Sequence, residues 1–499
     1  MVTIETRANK EVDNMIENVK KSLMRRITVA IVLALASPFF ISSQGLSGWQ
    51  DVFKWKPKSD TAVINKTHVN KPEKCTISKK NKCTSGEKTV SAGLTLWDCY
   101  KCALKQSELI AINVELIKET EAHFLQALSI MLPHASFLST DTEQQEPPKP
   151  VSSSSSSVSI IRSNSSERKI RVTQTLFNGF KAFAAIAGSG YERKWRVKDK
   201  ERAEQLLFVD VANAFYLLIQ ERKDVEVLQK SKAALFSRIK ELRDREKLGR
   251  SRPSEVVNAK TQLYAVEAQM ELTKSQEMLA RQLLEFLVGM PVGEINDTHE
   301  IPYPLKPEDS YVSKAMLRPD VESAKNAWKL AREGVQVAGS DFLPLVQIET
   351  NYYAQRTGTS KGIDWDVMLT VDVPIFEGTQ ILGNVKAAES QARQNELLYK
   401  RAMRSAPKDI RDAYVKLGSA LAVHDALRKA YTFAKLNYYL QRKDYRLNLV
   451  NNLDVLASIK SLQDAQLDDI GALYEAKRLY WQLLVACGEQ MTEMIYDTF

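Results

Sequence analysis

Apolar residues recur at alternating three- and four-residue steps within 181–248, a stretch without proline. The residues on this spacing are Val211, Ala214, Leu218, Val225, Leu228, Leu235, Ile239 and Leu242, with interruptions at Glu221 and Lys232. This is the heptad spacing of a coiled-coil seam, and at ~1.5 Å per residue the helix would be roughly 100 Å long. We therefore predict a long helix, a turn at 248–254 and a helical return to Leu287.

A second stretch, 380–446, has the same character and is followed by a turn at 447–452 and a return to Ala486. Pro407 lies inside this stretch. An interior proline removes a backbone donor and crowds the preceding turn, so we expect a kink or a break there.

Between the helices, apolar and polar residues alternate strictly. The alternation puts Trp365, Val367, Leu369, Val371, Val373 and Ile375 on one face of a strand, with Asp366, Thr370 and Asp372 on the other. A partner strand has Val346, Ile348, Thr350, Tyr352 and Ala354 on one face, with Gln347, Glu349, Asn351 and Gln355 on the other. Strands of about ten residues with this alternation are typical of a transmembrane β-barrel, although a half-buried soluble sheet has the same pattern. On the barrel interpretation Gln347, Glu349, Asn351, Asp366 and Asp372 face the lumen.

These elements occur twice, at a constant offset of 199 residues. The offset relates Leu176-Phe-Asn-Gly179 to Ile375-Phe-Glu-Gly378, and Gly289 to Gly488. We interpret 93–290 and 313–490 as two copies of one unit, with 491–499 as a tail. The strand pair of the first copy, 135–140 and 169–177, alternates loosely. Between its strands a Pro- and Ser-rich composition predicts a loop near 141–168.

Four strands per chain cannot close a barrel, because edges exposed to lipid would leave backbone groups unpaired. Closed barrels need at least about eight strands, so two or three chains would have to combine. The predicted fold class is therefore mainly α with transmembrane β. In it, a long coiled-coil helical tunnel continues a barrel that is closed between subunits, with four strands per chain and two internal repeats.

The N-terminal region contains a fifteen-residue, largely apolar segment, 27–41, behind four basic residues. This predicts a signal peptide at 1–41 followed by a polar leader at 42–92, with an uncleaved inner-membrane anchor as the alternative. The stretch before the segment is long for an n-region, which leaves Met15 and Met24 as alternative starts. Cleavage contexts occur at Ala34-Leu-Ala36 and at Ile41-Ser-Ser43.

Composition narrows the classes of protein further. The 70 Lys and Arg residues are interspersed with 61 Asp and Glu residues, as on solvated helix faces, and no basic patch for nucleic acid is present. A mean hydropathy of −0.30 excludes a polytopic helical membrane protein. No metalloprotease, hydrolase or phosphate-loop motif occurs, and His123, His134 and His424 lie on separate predicted elements. We therefore expect no enzyme activity and no cofactor.

The cysteine count is five, which excludes a fully paired set. Cys99 and Cys102 form a CxxC, but the spacing of Cys75 and Cys83 is poor for a zinc ribbon, so we expect no metal site. A Cys75–Cys83 disulfide and buried helix positions for the other three cysteines remain as expectations.

In order and duplication, the motifs of the chain resemble those of the outer membrane efflux protein (TolC-type) family over about 94–488. They are Leu94-Thr-Leu96, Arg318-Pro-Asp-Val321, Leu343-Pro344, the two strand exits given above, and the helix ends Leu287-Val-Gly289 and Ala486-Cys-Gly488. The resemblance implies a homotrimer with a twelve-stranded barrel in the lipid bilayer. It also implies a periplasmic adaptor (membrane fusion) protein and an inner-membrane transporter as partners.

The resemblance therefore predicts a passive outer-membrane channel of a tripartite efflux or type I secretion system. It would lie in the outer membrane and periplasm of a Gram-negative-type bacterium. The alternative is a periplasmic coiled-coil structural protein, tethered to the inner membrane through 27–41 and without a pore. The strict alternation at 365–375 favours the channel, because a tethered coiled coil would not need it.

The resemblance also places a periplasmic aperture at the two helix turns, 248–255 and 445–454. A closed aperture needs polar links between neighbouring turns, and we nominate Glu255, Tyr445 and Asp454. The alternative is that both acids occupy first helical turns, where the helix dipole favours them. Two departures from the family pattern bear on closure: Asn448 replaces the turn glycine, and Val450 stands where a basic partner can occur.

Overall fold

The computed structural model describes residues 93–145, 164–357 and 361–489. The predicted signal peptide, the leader, the Cys75–Cys83 pair and the tail 491–499 lie outside these ranges. In chain order, the elements are α1 (Leu96–Gln106), α2 (Glu108–Ser129), β1 (His134–Glu143), β2 (Asn164–Asn178), α3 (Lys181–Lys247), α4 (Pro253–Val288), α5 (Glu308–Val312), α6 (Pro319–Gly339), β3 (Leu345–Arg356), β4 (Trp365–Asp372), α7 (Gln380–Arg446) and α8 (Asn452–Ala486). Single 3₁₀ turns precede and follow α6, at Ala315–Leu317 and Ser340–Phe342.

The predicted seam of α3 is confirmed, because all eight of its heptad residues are buried. Their burial packs α3 against α4 in one antiparallel hairpin and against α8 of a second hairpin, α7–α8. The long helices therefore follow each other in space in the order α4, α3, α8, α7. Among the described elements, each of the two end helices has a neighbouring long helix on one side only. Along α7 only Ile381, Ala406, Ile410, Leu417 and Tyr445 are buried.

Aromatic residues of α1, α3 and α8 form the centre of the larger core. Trp97 lies 5.3 Å from Phe208 and 5.6 Å from Trp481, centroid to centroid. The indole Nε1 of Trp481 donates to the hydroxyl of Tyr216 at 3.1 Å. Cys99 and Cys102 are buried positions of α1, as expected, and Cys487 is buried one residue beyond α8.

Pro407 does not interrupt α7, so the expected break is wrong. Tertiary packing on both sides of the proline explains the difference. Ala406 and Ile410 are fully buried, and Arg318, at the start of α6, donates to the Ala406 carbonyl at 3.4 Å. The same guanidinium forms an ion pair with Asp409 at 3.3 Å. These contacts fix the chain on either side of the missing backbone donor.

The four strands form one antiparallel sheet in the order β1-β2-β3-β4. β1 and β2 pair as far as Glu143 and Asn164, so the loop predicted at 141–168 is too long at both ends. Backbone pairing continues through these polar residues because it does not require an apolar face. β4 ends at Asp372 rather than at Ile375, and Pro374, which has no N–H to continue the ladder, follows closely. Ile375-Phe-Glu-Gly378 therefore lies beyond the strand.

Within the described ranges, no helix combines the length and the apolar character needed to cross a membrane.

Candidate functional site

The two helix turns have the same backbone geometry, 199 residues apart. Gly249 has φ +71° and Asn448 has φ +59°, both in the left-handed region. The amide of Arg250 donates to the Arg245 carbonyl at 2.8 Å, and the amide of Leu449 donates to the Asp444 carbonyl at 3.0 Å. Asparagine tolerates the left-handed region better than other non-glycine residues. Asn448 therefore keeps the turn that a glycine would form.

The side chain of Tyr445 is buried where the two turns meet. The guanidinium carbons of Arg238 and Arg245 lie 3.6 Å and 4.5 Å from the centroid of its ring. Both arginines belong to α3, whereas Tyr445 belongs to α7, so the stacking joins the two hairpins. Cations over an aromatic face attract its quadrupole, and the planar arginine head suits this contact.

Arg238 also makes a direct polar link between the hairpins. Its side chain is only 5% exposed, and its Nε donates to Asn452 Oδ1 at 3.0 Å. Its Nη1 donates to Glu241 at 3.0 Å, while Nη2 is buried without a hydrogen-bond partner among the described residues. Asn452 Nδ2 in turn donates to the Glu255 carbonyl at 3.5 Å. The Arg238–Asn452 contact thus ties the first turn to the second within one chain.

The two nominated acids occupy equivalent places, each as the third residue of its helix. Ser251 Oγ donates to the Glu255 carboxylate at 2.6 Å. Asp454 forms a capping box with Asn451: each side chain accepts from the other residue's amide at 3.0 Å. Both contacts are local to one turn and fit acids at helix N-termini. An aperture role for Glu255, Tyr445 and Asp454 stays a prediction.

The sequence pointed to Tyr445 but not to Arg238, Arg245 or Asn452. Arg238 lies between the seam residues Leu235 and Ile239, where the heptad spacing predicts only an ordinary polar residue. Its partners come from the other half of the chain, so no local spacing could have identified it.

Three of the five residues predicted to line a lumen are in contact on one face of the sheet. Asn351 is buried, and its Nδ2 donates to Glu349 Oε1 at 3.0 Å and to Asp366 Oδ1 at 2.9 Å. Glu349 also pairs with Arg171 of β2, Nε to Oε1, at 3.2 Å. Gln347 is paired in register with Thr370, and Asp372 with Leu345, so both lie on the same face but farther along the strands.

This polar network extends across β2, β3 and β4. The Tyr353 hydroxyl donates to Asp366 Oδ2 at 2.7 Å, and Arg356 lies over the Tyr353 ring at 4.1 Å. Glu167 pairs with Lys169 at 2.8 Å and with Arg356 at 3.8 Å. Positive and negative groups therefore neutralise each other across this face. Sequence alternation identified the face but missed Arg171, because the first strand pair alternates loosely. It missed Tyr353 of β3 because an aromatic residue does not count as polar in such a pattern.

The opposite face of the sheet is apolar and exposed. Its residues include Phe137, Ile170, Tyr352, Trp365, Val367, Leu369 and Val371, each between 46% and 65% exposed. A contiguous apolar surface of this kind on a chain in water marks contact with a membrane or another protein.

Comparison with known proteins connects this architecture to one family. Residues 313–489 match the family model "Outer membrane efflux protein". The outer membrane protein TolC of Vibrio cholerae is 22% identical over 321 residues, which cover 61% of this chain and 73% of that protein. The solvent efflux pump outer membrane protein SrpC of Pseudomonas putida is 23% identical, over 61% of this chain and 69% of that protein.

A solved structure shows the same fold. The outer membrane protein VceC of Vibrio cholerae superposes with a TM-score of 0.70 at 19% identity, over 79% of this chain and 96% of that one. The long helical hairpins with a small four-stranded sheet are thus the architecture of this class of proteins. The family resemblance seen in the sequence is confirmed.

The stacking at Tyr445 predicts a difference between two substitutions. Tyr445→Leu keeps a buried apolar side chain but removes the aromatic ring, whereas Tyr445→Phe keeps the ring beneath both arginines. A cation–π contact contributes ~0.5–2 kcal/mol, so amides of the turn at 447–451 should exchange about 2- to 30-fold faster in Tyr445→Leu. Hydrogen exchange followed by mass spectrometry measures these rates. Equal rates in the two variants would mean that the stacking does not hold the turns together.

Proposed function

Because residues 313–489 match the outer membrane efflux protein family, we propose that this chain is one subunit of a homotrimeric outer-membrane channel. The channel is a passive duct of a tripartite efflux or type I secretion system. An inner-membrane transporter supplies the energy, and a periplasmic adaptor joins the two. The names of the relatives, which include solvent and cation efflux proteins, support transport of this kind.

The sheet supports a barrel that is closed between subunits. β1 and β4 are the two edges of the sheet, and each leaves one row of backbone groups unpaired within the described part of the chain. In lipid such edges are too costly, whereas pairing β4 of one subunit with β1 of the next removes them. Three copies give twelve strands, with the polar network inside and the exposed apolar face against the acyl chains. A tethered coiled coil without a pore leaves this apolar face unexplained.

The end helices support a ring of subunits. Opposite its buried face, α4 exposes a second heptad series, with Val257, Tyr264, Ala268, Ser275, Leu279 and Phe286 at steps of seven and four residues. On α7 the exposed series is Val415, Ala422, Ala426, Phe433 and Leu440. Apolar and small residues at this spacing are the seam of a coiled coil that lacks its partner helix.

The two exposed series lie at opposite ends of the row α4, α3, α8, α7. A contact between α4 of one subunit and α7 of the next joins two different surfaces, and such contacts generate rings when the rotation closes. The same head-to-tail rotation joins β4 to β1. The proposed contacts between helices and between strands are therefore compatible with the same cyclic arrangement. In it, the helices form a tunnel that is continuous with the barrel.

The seam on α7 predicts that Phe433→Lys disrupts assembly. A charge in place of an aromatic residue of the seam should weaken each subunit contact by at least ~10-fold. Phe236→Lys is the matched control, because Phe236 of α3 is 65% exposed and Phe433 is 69% exposed, but Phe236 is not on an end helix. Cross-linking in isolated membranes measures the fraction of trimer. Loss of trimer in both variants, or in neither, would contradict the assigned seam.

The link between the turns predicts an effect on conductance. Arg238→Ala removes the closer of the two arginines stacked on Tyr445 and the bond to Asn452. This should loosen the turns and raise the unitary conductance of the protein in a planar bilayer. Arg243→Ala, at an exposed position on the same helix, should leave conductance unchanged. A wild-type protein that inserts as a trimer but never conducts would refute the channel. An unchanged conductance in Arg238→Ala would refute an aperture at these turns.

A further inference from the structure

Aromatic residues continue the apolar face of the sheet onto the start of α3. Phe177 is paired in register with Val346, which in turn pairs with Val371 on the exposed apolar face. The ring of Phe180 lies 5.2 Å from that of Phe177 and 6.3 Å from that of Phe183. Phe180 and Phe183 are 61% and 60% exposed. Exposed aromatic residues next to a lipid-facing strand are characteristic of the membrane–water interface.

A cationic cluster lies three helical turns farther along the same side of α3. Lys194 follows Phe183 by eleven residues, which returns it to the same face about 16 Å along the helix. Lys194 Nζ lies 5.8 Å from the ring centroid of Tyr191, and Lys329 Nζ of α6 lies 5.3 Å from the same centroid. Lys325 lies one turn before Lys329. We call Tyr191, Lys194, Lys325 and Lys329 the lysine cluster.

The charges of this cluster are not neutralised within the described part of the chain. None of its lysines makes an ion pair there, and neither does Glu333, one turn beyond Lys329. Two of the nearby acids are engaged elsewhere: Glu192 contacts His123 at 3.2 Å, and Glu322 pairs with Lys198 at 3.0 Å. Partial burial, together with Lys325 and Lys194, lowers the pKa of Lys329. Like charges held this close favour an anion from outside the chain.

We propose that the lysine cluster binds the phosphate of an anionic lipid headgroup in the periplasmic leaflet of the outer membrane. This rests on the proposed function, which puts the apolar face of the sheet in the bilayer. The headgroup layer is about 5–8 Å thick beyond the hydrocarbon, and attraction extends over a further ~8 Å at physiological salt. Long lysine side chains on the face of Phe183 can extend toward this layer. Three copies per trimer would fix the depth of the barrel in the membrane.

The test compares lipids retained by the full-length protein. The purified wild type is incubated with phosphatidylglycerol or with zwitterionic phosphatidylcholine, and native mass spectrometry counts the bound lipids. We expect a roughly ten- to hundred-fold preference for phosphatidylglycerol, because each lysine near a headgroup plane contributes on the order of 1 kcal/mol. The triple variant Lys194→Gln, Lys325→Gln, Lys329→Gln should lose this preference.

The control variant is Lys408→Gln, Lys429→Gln, Lys460→Gln. It removes the same charge from exposed lysines that each pair with an acid one turn away, and it should retain the preference. An equal preference in the cluster variant and the wild type would overturn the inference, as would equal loss in both variants. The same spectra report the subunit number. A trimer without lipid preference overturns only the lipid site, whereas a monomer overturns the proposed channel as well.

Discussion

A sheet with one exposed apolar face and two unpaired edges is the constraint on which the rest of the molecule depends. Four strands can neither bury that face nor satisfy those edges within one chain, and lipid would not hydrogen-bond to the edges. The exposed heptad series on α4 and α7 likewise lack a partner helix within the described part of the chain. In the proposed trimer, one rotation that joins the two ends of the helix row would satisfy both the sheet edges and the helix seams. On that proposal the subunit is one sector of a ring.

Polar contacts between neighbouring strands stabilise one face of the sheet, and a single arginine joins the two hairpins at the turns. On the polar face of the sheet, Arg171, Glu349, Asn351 and Asp366 are joined by short polar contacts across three strands. At the turns, a nearly buried arginine is held by one aromatic ring and one asparagine. A buried charge with few partners is costly, and removing one partner exposes that cost. Loss of a partner of Arg238 would therefore loosen the two hairpins at the turns, where the proposed duct would open.

Much of the fold could be predicted from periodicity alone. The eight seam residues of α3 are all buried, and the bounds predicted for α7 agree with the structure, because a repeated heptad carries its own register. The polar ends of β1 and β2 have no periodic pattern from which they could be predicted. Both strands extend beyond their alternating residues because backbone hydrogen bonds pair them there. Pro407 was misleading because Arg318 and the packing of Ala406 come from outside the helix.

The candidate sites, too, could be predicted only in part from the sequence. Alternation placed Glu349, Asn351 and Asp366 on one face, where the structure brings them into contact. It could not identify Arg238, whose partner Tyr445 is more than two hundred residues away in the chain. Contacts between the two halves of the chain have no local spacing, so only the fold reveals them.

The native mass of the protein extracted in detergent from the outer-membrane fraction tests the ring assembly. A mass of three chains would show that the open edges of the sheet and the exposed helix seams are satisfied by neighbouring copies. A single chain or a pair of chains, recovered with the inner membrane, would contradict a closed duct and favour a tethered coiled coil.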